Sequence, residues 1–305
     1  MVNSTSNLLI IGNGFDLQCG LKSSYYDFVS SKFIDKIYSN LWQIYFQKFK
    51  KEINGWIDIE NKITYFLSNR NEKFSFISEL KNQGHNIIID NNDNLSFVSY
   101  LLGELKKIED LFCQYLLTEI ENNKNYTKNA ENLLKKMAEF KNLEIISFNY
   151  TNPFKENIKV INLHGLCKNS NIIFGIDLED KLPKDSYIFT KTYRRMFLNN
   201  STSSLPRDIS KIKFYGHSLG YQDHSYFYNI FDYYNLYGDL NNSNIILQFY
   251  FTIYDNNKKD EIIKTSTTNV YNLIYEYGKT FDDTTKGKNI LNKLLLEGRI
   301  HIKFI

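Results

Sequence analysis

Several polar residues follow directly after strand-like apolar runs, where they could act on a bound ligand. Asn149 and Tyr150 come after the run Glu144–Phe148, and His164 comes after Lys159–Leu163. Histidine titrates near neutral pH and can serve as a general base, whereas an asparagine amide can hold a hydroxyl or a water. The carboxyl ends of parallel strands meet at one edge of a sheet, so we expect these side chains to face one crevice. A purely structural role is the alternative for both Asn149 and His164.

A glycine turn follows the first apolar run, Leu8–Ile11, which lacks polar alternation and is typical of a strand buried on both faces. The turn consists of Gly12, Asn13, Gly14, Phe15 and Asp16. Glycines let a backbone approach phosphate closely, and the start of a following helix favours an anion. Leu17 stands where the dinucleotide fingerprint requires its third glycine. The spacing alone therefore leaves two interpretations, a nucleotide site and a plain strand–turn–helix.

A second glycine turn follows the run Ile212–Tyr215 and precedes an aromatic helix. It contains Gly216, His217 and Ser218, with Asp223 at the start of the helix. Hydroxyl groups and backbone amides in such a turn are suited to hydrogen-bonding a ribose or a phosphate. We expect this turn to belong to the same site.

Other polar residues in these segments have structural interpretations. Asn152 precedes Pro153, which suits the first position of a helix, so we expect Asn152 to be a helix N-cap. We expect His224, two positions into its helix, to be exposed. Asp58 and Glu60 are typical of a helix cap and its first turn, although both could also reach a site as acids.

Strand-like runs that alternate with helical patterns predict an α/β fold, Rossmann-like, with a mostly parallel sheet. The runs are Leu8–Ile11, Glu144–Phe148, Lys159–Leu163, Ile172–Phe174, Ile212–Tyr215, Ile245–Phe251 and Ile300–Phe304. Between the first two runs the spacing is helical, with only Ile87-Ile88-Ile89 resembling a strand. The helical segments are Tyr25–Lys51, Ile57–Ser68, Leu95–Glu121 and Asn129–Phe140. We therefore predict a single domain over residues 1–305 with a large helical insertion at about 28–140.

Composition limits the classes of partner. The 37 basic and 34 acidic residues give a net charge of +3, which disfavours a broad nucleic-acid surface. The three cysteines are widely spaced, which favours neither zinc nor disulfides and fits a reducing cytoplasm. We find no signal peptide and no apolar stretch long enough to span a membrane, so a cytoplasmic protein is expected.

Taken in order, seven segments resemble the landmarks of the bacteriophage abortive-infection AbiH family. They are LIIGNGFDLQCGLKSSYYDF, GWIDIE, SFNYTNPF, LHG, IIFGID, KTYRR and FYGHSLGYQDHSYF. They run from about residue 7 to 227, and the first and last are long and specific. The resemblance implies an antiphage abortive-infection effector.

That family is in turn similar to the sirtuins and their NAD-cleaving defence relatives. The similarity places Gly12-Asn13-Gly14 at the pyrophosphate and Gly20–Phe28, with Ser24 and Tyr25, beside the nicotinamide ribose. It matches His164-Gly165 to a His-Gly pair and Gly216-His217-Ser218 to a Gly-x-Ser turn.

A third element, Asn-Tyr-Asp in sirtuins, falls on Asn149-Tyr150-Thr151, with Thr151 in place of the acid. Sirtuin zinc cysteines are absent, so the resemblance implies NAD cleavage rather than deacetylation.

The resemblance thus implies that His164 and Asn149 are catalytic, that NAD is substrate or ligand, and that no metal is needed. The partners to expect are NAD or a related nucleotide, a homo-oligomer and an unknown phage trigger, with neither membrane nor nucleic acid. Two alternatives stay open. One is a non-catalytic NAD or ADP-ribose sensor, which the threonine at position 151 favours. The other is a toxin that contacts nucleic acid through Arg194 and Arg195.

Overall fold

The computed structural model describes residues 6–37, 40–49, 58–85, 94–137, 143–177, 182–198, 205–238 and 245–305 of the 305-residue chain. Six strands form one sheet: β1 Ser6–Ile11, β2 Leu143–Ser147, β3 Lys159–Asn162, β4 Ile209–Tyr215, β5 Ile246–Phe251 and β6 Ile300–Phe304. The helices are α1 Asn13–Gln18, α2 Tyr25–Ser30, α3 Leu41–Lys48, α4 Ile59–Ser68, α5 Arg70–Asn82, α6 Asn94–Asn122, α7 Tyr126–Met137, α8 Lys191–Arg195, α9 His224–Tyr233, α10 Lys259–Lys279 and α11 Thr284–Leu296.

The sheet has the order β3-β2-β1-β4-β5-β6, and every pair of neighbouring strands is parallel. The order reverses between β1 and β4, which are the two central strands. This is the strand order of doubly wound dinucleotide-binding sheets, in which ligands bind beyond the carboxyl ends at the point of reversal. The predicted α/β, Rossmann-like fold with a parallel sheet is confirmed.

The apolar sequence of β1 suits its central position in the sheet. Its residues Leu8, Leu9, Ile10 and Ile11 are all completely buried, as the unbroken apolar run predicts. By contrast, β6 lies at the edge, and its residues alternate between half-buried and exposed.

The chain divides into two compact units. The first comprises Met1–Gly20, Asn125–Leu163 and Ser201–Ile305 and holds the whole sheet. The second comprises Leu21–Lys124 and His164–Asn200 and holds α2 to α6 and α8. The prediction of one domain with an insertion at about 28–140 stays a prediction.

The core of the first unit lies between the sheet and the helices α9, α10 and α11. Phe214 of β4 stacks on Phe249 of β5 with ring centroids 4.6 Å apart. Phe231 of α9 contacts Tyr277 of α10, and Leu294 of α11 is completely buried in the same cluster. The last two strands and helices therefore complete the core around the central strands.

The run Ile172–Phe174 is not a strand, so that prediction was wrong. Its residues are buried, but its backbone hydrogen bonds go elsewhere. Phe174 donates its N–H to Glu109 Oε1 at 2.6 Å, and Ile173 donates to the carbonyl of His164 at 2.9 Å. Side-chain and loop acceptors take the place of a neighbouring strand. The predicted strand 87–89 lies outside the described residues.

The sequence did not predict α5, because few of its residues are apolar. Only Phe76, Ile77 and Leu80 are buried. The start of the helix is capped by Asn69, whose Oδ1 accepts the N–H of Glu72 at 3.1 Å. No helix in the described ranges is both long and apolar enough to span a bilayer.

Candidate functional site at the carboxyl ends of β1, β2 and β4

The two glycine turns pack directly against each other at the reversal point of the sheet. Gly12 donates its N–H to the carbonyl of Tyr215 at 3.1 Å, and Gly14 donates to that of Gly216 at 2.7 Å. A Cβ on Gly14 would lie 2.8 Å from Gly216 Cα, and one on Gly216, where φ is +66°, would lie 2.3 Å from the nitrogen of Phe15. Close approach of two loops therefore accounts for these glycines.

This packing bears on the predicted pyrophosphate contact. The N–H of Phe15 donates to the carbonyl of Gly12 at 2.9 Å, so three N–H groups of the first turn are used within the protein. The following helix, α1, has six residues. The half-buried Asn13 lies at the start of α1. Backbone binding of phosphate by this turn stays a prediction.

Asp16 of α1 forms a buried cluster with two hydroxyl groups. Its Oδ2 accepts a hydrogen bond from Thr151 Oγ1 at 2.6 Å, and its Oδ1 accepts one from Tyr126 Oη at 2.8 Å. The two hydroxyl oxygens lie 2.9 Å apart, which closes a triangle of oxygen contacts. Asp16 is only 1% exposed. The cluster joins α1, the first residue of α7 and the loop after β2.

Burial raises the pKa of Asp16 to about 6 from its ordinary value of 3.8. Loss of hydration disfavours the carboxylate, and the hydrogen bonds from Thr151 and Tyr126 only partly offset this loss. A carboxyl group with such a pKa can exchange its proton near neutral pH, which makes Asp16 a functional-site candidate.

Asn149 lies beside this cluster with an unsatisfied side chain. It is 4% exposed, and neither polar atom of its amide has a hydrogen-bond partner among the described residues. The amide approaches Asp16 closely enough to lower the pKa of that carboxyl, but completes no hydrogen bond of normal geometry. Unsatisfied buried polar atoms are rare and costly in folded proteins, and a bound ligand is one explanation for them.

The backbone around Asn149 is held firmly. Its N–H donates to Ser147 Oγ at 3.1 Å. Asn162, the last residue of β3, donates its side-chain amide to the carbonyls of Asn149 and Thr151, both at 3.0 Å. Tyr150, which lies between Asn149 and Thr151 in the sequence, is buried. Hydrogen bonds therefore hold the backbone that carries the Asn149 side chain.

The ring of His217, in the turn after β4, has a neighbour at each nitrogen and packs against two aromatic rings. Its Nδ1 accepts the N–H of Leu219 at 2.8 Å, so the neutral ring carries its proton on Nε2, which lies 3.3 Å from Asp223 Oδ2. Phe148 and Phe227 contact the ring edge-on at 4.5 and 5.0 Å. With both nitrogens engaged, His217 is poorly placed to act as a general base.

Ser218 is the exposed residue of this turn, and it is held by its neighbours. Its Oγ accepts the N–H of Gly220 at 3.3 Å, and its carbonyl accepts the side-chain amide of Asn269 at 2.9 Å. The hydroxyl hydrogen of Ser218 can point to solvent, as a ribose contact would need.

The remaining predicted site residues belong to the second unit. Ser24 caps α2 by accepting the N–H of Asp27 at 3.0 Å. Tyr25 contacts the rings of Phe112 and Phe174 at 5.5 and 5.2 Å. His164 is the first residue of its segment in this unit and is buried. The first unit thus brings together Gly12 to Asp16, Asn149, Tyr150, Gly216 to Ser218 and Asp223.

Two expectations about polar residues were wrong. His224 is buried, not exposed, because its Nε2 lies 3.1 Å from the carbonyl of Leu219 and its Nδ1 lies 3.0 Å from Tyr228 Oη. Burial lowers the pKa of His224. Asn152 caps no helix, since irregular chain follows it, and its Oδ1 accepts the N–H of Phe154 at 3.1 Å instead.

Structural roles account for the candidate acids Asp58 and Glu60 and for the candidate cation Arg194. Asp58 is the N-cap of α4, and its Oδ1 accepts the N–H of Asn61 at 3.0 Å, as expected. Glu60 forms a buried ion pair with Lys191 at 2.7 Å. Arg194 pairs with both oxygens of the buried Glu109, so its guanidinium is not presented to nucleic acid.

Tyr126 is the site residue that the sequence did not indicate. It opens α7, three residues before the predicted start of that helix, and no local pattern connects it with Asp16. The three cysteines are buried as thiols. Nowhere in the described part of the chain do three or more His, Cys, Asp or Glu side chains converge as a metal site.

Comparison with known proteins gives one match. The profile of the family described as "Bacteriophage abortive infection AbiH" matches residues 8–239. No curated protein and no solved structure matches the chain. The matched residues cover about three quarters of the sequence and include most of β1, all of β2 to β4 and every residue of the candidate site. The chain therefore belongs to the bacteriophage abortive infection AbiH family.

Proposed function

We propose that this protein acts in bacteriophage abortive infection by binding NAD at the carboxyl ends of β1, β2 and β4 and hydrolysing it to nicotinamide and ADP-ribose. Family membership implies the role in abortive infection. The nucleotide chemistry is our proposal. It is supported by the strand order, whose reversal point between β1 and β4 is where doubly wound sheets bind nucleotides.

The observation that carries the proposal is the Asn149 amide. It is buried and unpartnered in the described structure, on a hydrogen-bonded loop beside a carboxyl whose pKa burial raises to about 6. A side-chain amide in this position can form hydrogen bonds with the hydroxyls of a ribose. Binding energy from those hydroxyls would orient the anomeric carbon for attack by water.

The proposed reaction breaks the bond between the anomeric carbon and the nicotinamide nitrogen. The bond's electron pair goes to the cationic ring, so nicotinamide leaves neutral and needs no strong acid. Water adds to the oxocarbenium-like carbon, and its proton passes to a base and then to solvent. On the sequence pattern and the family resemblance, we expect that base to be His164.

The test is chromatography of NAD incubated with the purified protein, with and without lysate from phage-infected cells. We expect free nicotinamide and ADP-ribose from the wild type. Asn149→Ala should remove most of this activity, whereas Asn289→Ala, which alters an exposed asparagine on α11, should leave it intact. Melting temperatures of both variants separate loss of function from loss of fold.

The base assignment has its own control. Loss of a general base typically lowers the rate by about 10²- to 10⁴-fold. His164→Ala should show such a loss, and His85→Ala should not. Turnover retained in His164→Ala would refute the assignment without refuting the reaction.

A sensor that binds NAD or ADP-ribose without cleaving it is the second candidate. It is favoured by Thr151, which stands where the sirtuin-like element has an acid and is hydrogen-bonded to Asp16. Calorimetry decides between the two. Binding that depends on Asn149, with no turnover even in infected lysate, would support the sensor and exclude the hydrolase.

A further inference from the structure

We propose that Asp16 is a positioning residue, whose carboxylate turns the Asn149 amide so that Oδ1 faces the ligand and accepts a hydrogen bond from a ligand hydroxyl. The inference rests on the proposed function, because it names ribose hydroxyls as the groups that the Asn149 site recognises. It adds that only the ionised form of Asp16 prepares the site.

The number of hydrogens in the buried triangle depends on the protonation state of Asp16. Three oxygen contacts of 2.6, 2.8 and 2.9 Å join Asp16, Thr151 and Tyr126. When Asp16 is protonated, the three groups carry three hydrogens, one for each contact. When Asp16 is ionised, only two hydrogens remain, and the carboxylate has acceptor capacity that the hydroxyls do not fill.

The Asn149 amide can fill the free acceptor capacity of the ionised Asp16 carboxylate. Of the two polar atoms of the amide, only Nδ2 carries hydrogens that it can donate to a carboxylate, and the amide acts to lower the pKa of Asp16, as such a donor would. The ionised carboxylate attracts Nδ2, which leaves Oδ1 on the opposite side. The protonated triangle is complete without Asn149, so its amide then has no preferred orientation.

Asp16 is the group of this cluster whose protonation changes near pH 6. The titratable groups facing it are Tyr126 from α7 and Cys19 at the end of its own helix. Burial raises the pKa of Cys19 to about 12 and that of Tyr126 above its ordinary value, so both stay neutral near pH 6. The loop after β2 contributes Thr151 and Asn149, which do not titrate.

The experiment follows the side-chain amide signals of Asn149 by NMR in protein labelled with ¹⁵N-asparagine, without ligand. Asn149→Ala identifies the signals by their absence. We expect them to shift with a midpoint near pH 6 in the wild type. Tyr126→Phe removes a hydrogen bond to the carboxylate and should raise the midpoint, and Asp16→Asn should abolish the transition. Tyr271→Phe, at an exposed tyrosine, should leave the midpoint unchanged.

A second arm measures calorimetric affinity for ADP-ribose. At pH 5 about one tenth of Asp16 is ionised, so binding should be about tenfold weaker than at pH 7.5, and Asp16→Asn should lose this dependence. Asn149 signals that do not respond to pH, or that respond equally in Asp16→Asn, would overturn the inference. Signals that respond while ADP-ribose fails to bind at either pH would instead reject the nucleotide site, and with it the ligand part of the inference.

Discussion

At the scale of single residues, the burial of Asp16 makes protein stability depend on pH near neutrality. Its pKa is about 6 in the folded protein against an ordinary 3.8. Because the folded state binds the proton more tightly, the stabilising contribution of protonated Asp16 is complete below pH 3.8 and is lost as pH rises through about 6. At about 1.4 kcal/mol per pKa unit, the loss is about 3 kcal/mol.

We therefore expect Asp16→Asn to gain stability relative to wild type as pH rises. Asparagine cannot ionise, so it avoids the cost of burying a charge. The difference in free energy of unfolding between variant and wild type should grow by about 2.4 kcal/mol between pH 4 and pH 7. Urea titrations at several pH values measure it. A difference that stays constant over this interval would mean that Asp16 keeps an ordinary pKa.

At the scale of elements, the contact between the two glycine turns should control the stability of the sheet's carboxyl edge. Gly216 has a φ of +66°, and an added Cβ would meet the nitrogen of Phe15 at 2.3 Å. Left-handed strain and this backbone clash act together, so Gly216→Ala should destabilise the protein by at least about 2 kcal/mol. A lowered melting temperature is the readout.

The same turn supplies a matched control. Gly220 has a φ of −66°, and its nearest neighbour to an added Cβ is the Ser218 hydroxyl at 3.4 Å. Gly220→Ala should therefore be close to neutral. Equal melting temperatures for the two variants would contradict the packing of the turns. Gly14→Val is a poor test of ligand binding, because its side chain would strike Gly216 whether or not a ligand binds there.

At the scale of the whole molecule, the family match stops at residue 239, but the sheet does not. Strands β5 and β6 and helices α10 and α11 lie beyond it. Leu247 and Phe249 of β5 and Leu273 and Ile274 of α10 are completely buried. These residues belong to the same core cluster as Ile212 and Phe214 of β4, so the segment beyond the match is part of the same core.

A chain ending at residue 239 should consequently fail to fold. It would expose the core face of β4 and an unpaired strand edge, both of which promote aggregation. We expect the truncated chain to be insoluble, or to lack a cooperative thermal transition. Leu296→Ser, which changes an exposed residue of the same segment, should melt like wild type. A soluble, cooperatively folding 1–239 chain would show that the two edge strands are dispensable.

The sequence alone determined the family and most of the sheet. Leu8–Ile11 could be placed as a doubly buried strand because a short run of consecutive apolar residues without alternation is typical of such a strand. The periodicity of apolar residues also predicted the helical segments that follow this strand, except at α5, where too few residues are apolar. Family motifs appear in a fixed order along the chain, and their detection needs no knowledge of contacts.

Only the tertiary structure decided how the site residues act. Asp16 meets Tyr126 and Thr151 across sequence separations of 110 and 135 residues, and no local pattern records such a contact. The pKa of Asp16 is set by its burial, and both nitrogens of His217 are occupied by neighbouring groups. Both properties depend on what packs around the residue, which local sequence does not encode. A glycine after a strand, such as Gly14, is equally compatible with close approach of a phosphate and of a neighbouring loop. In the structure, the turn at Gly216 packs against Gly14.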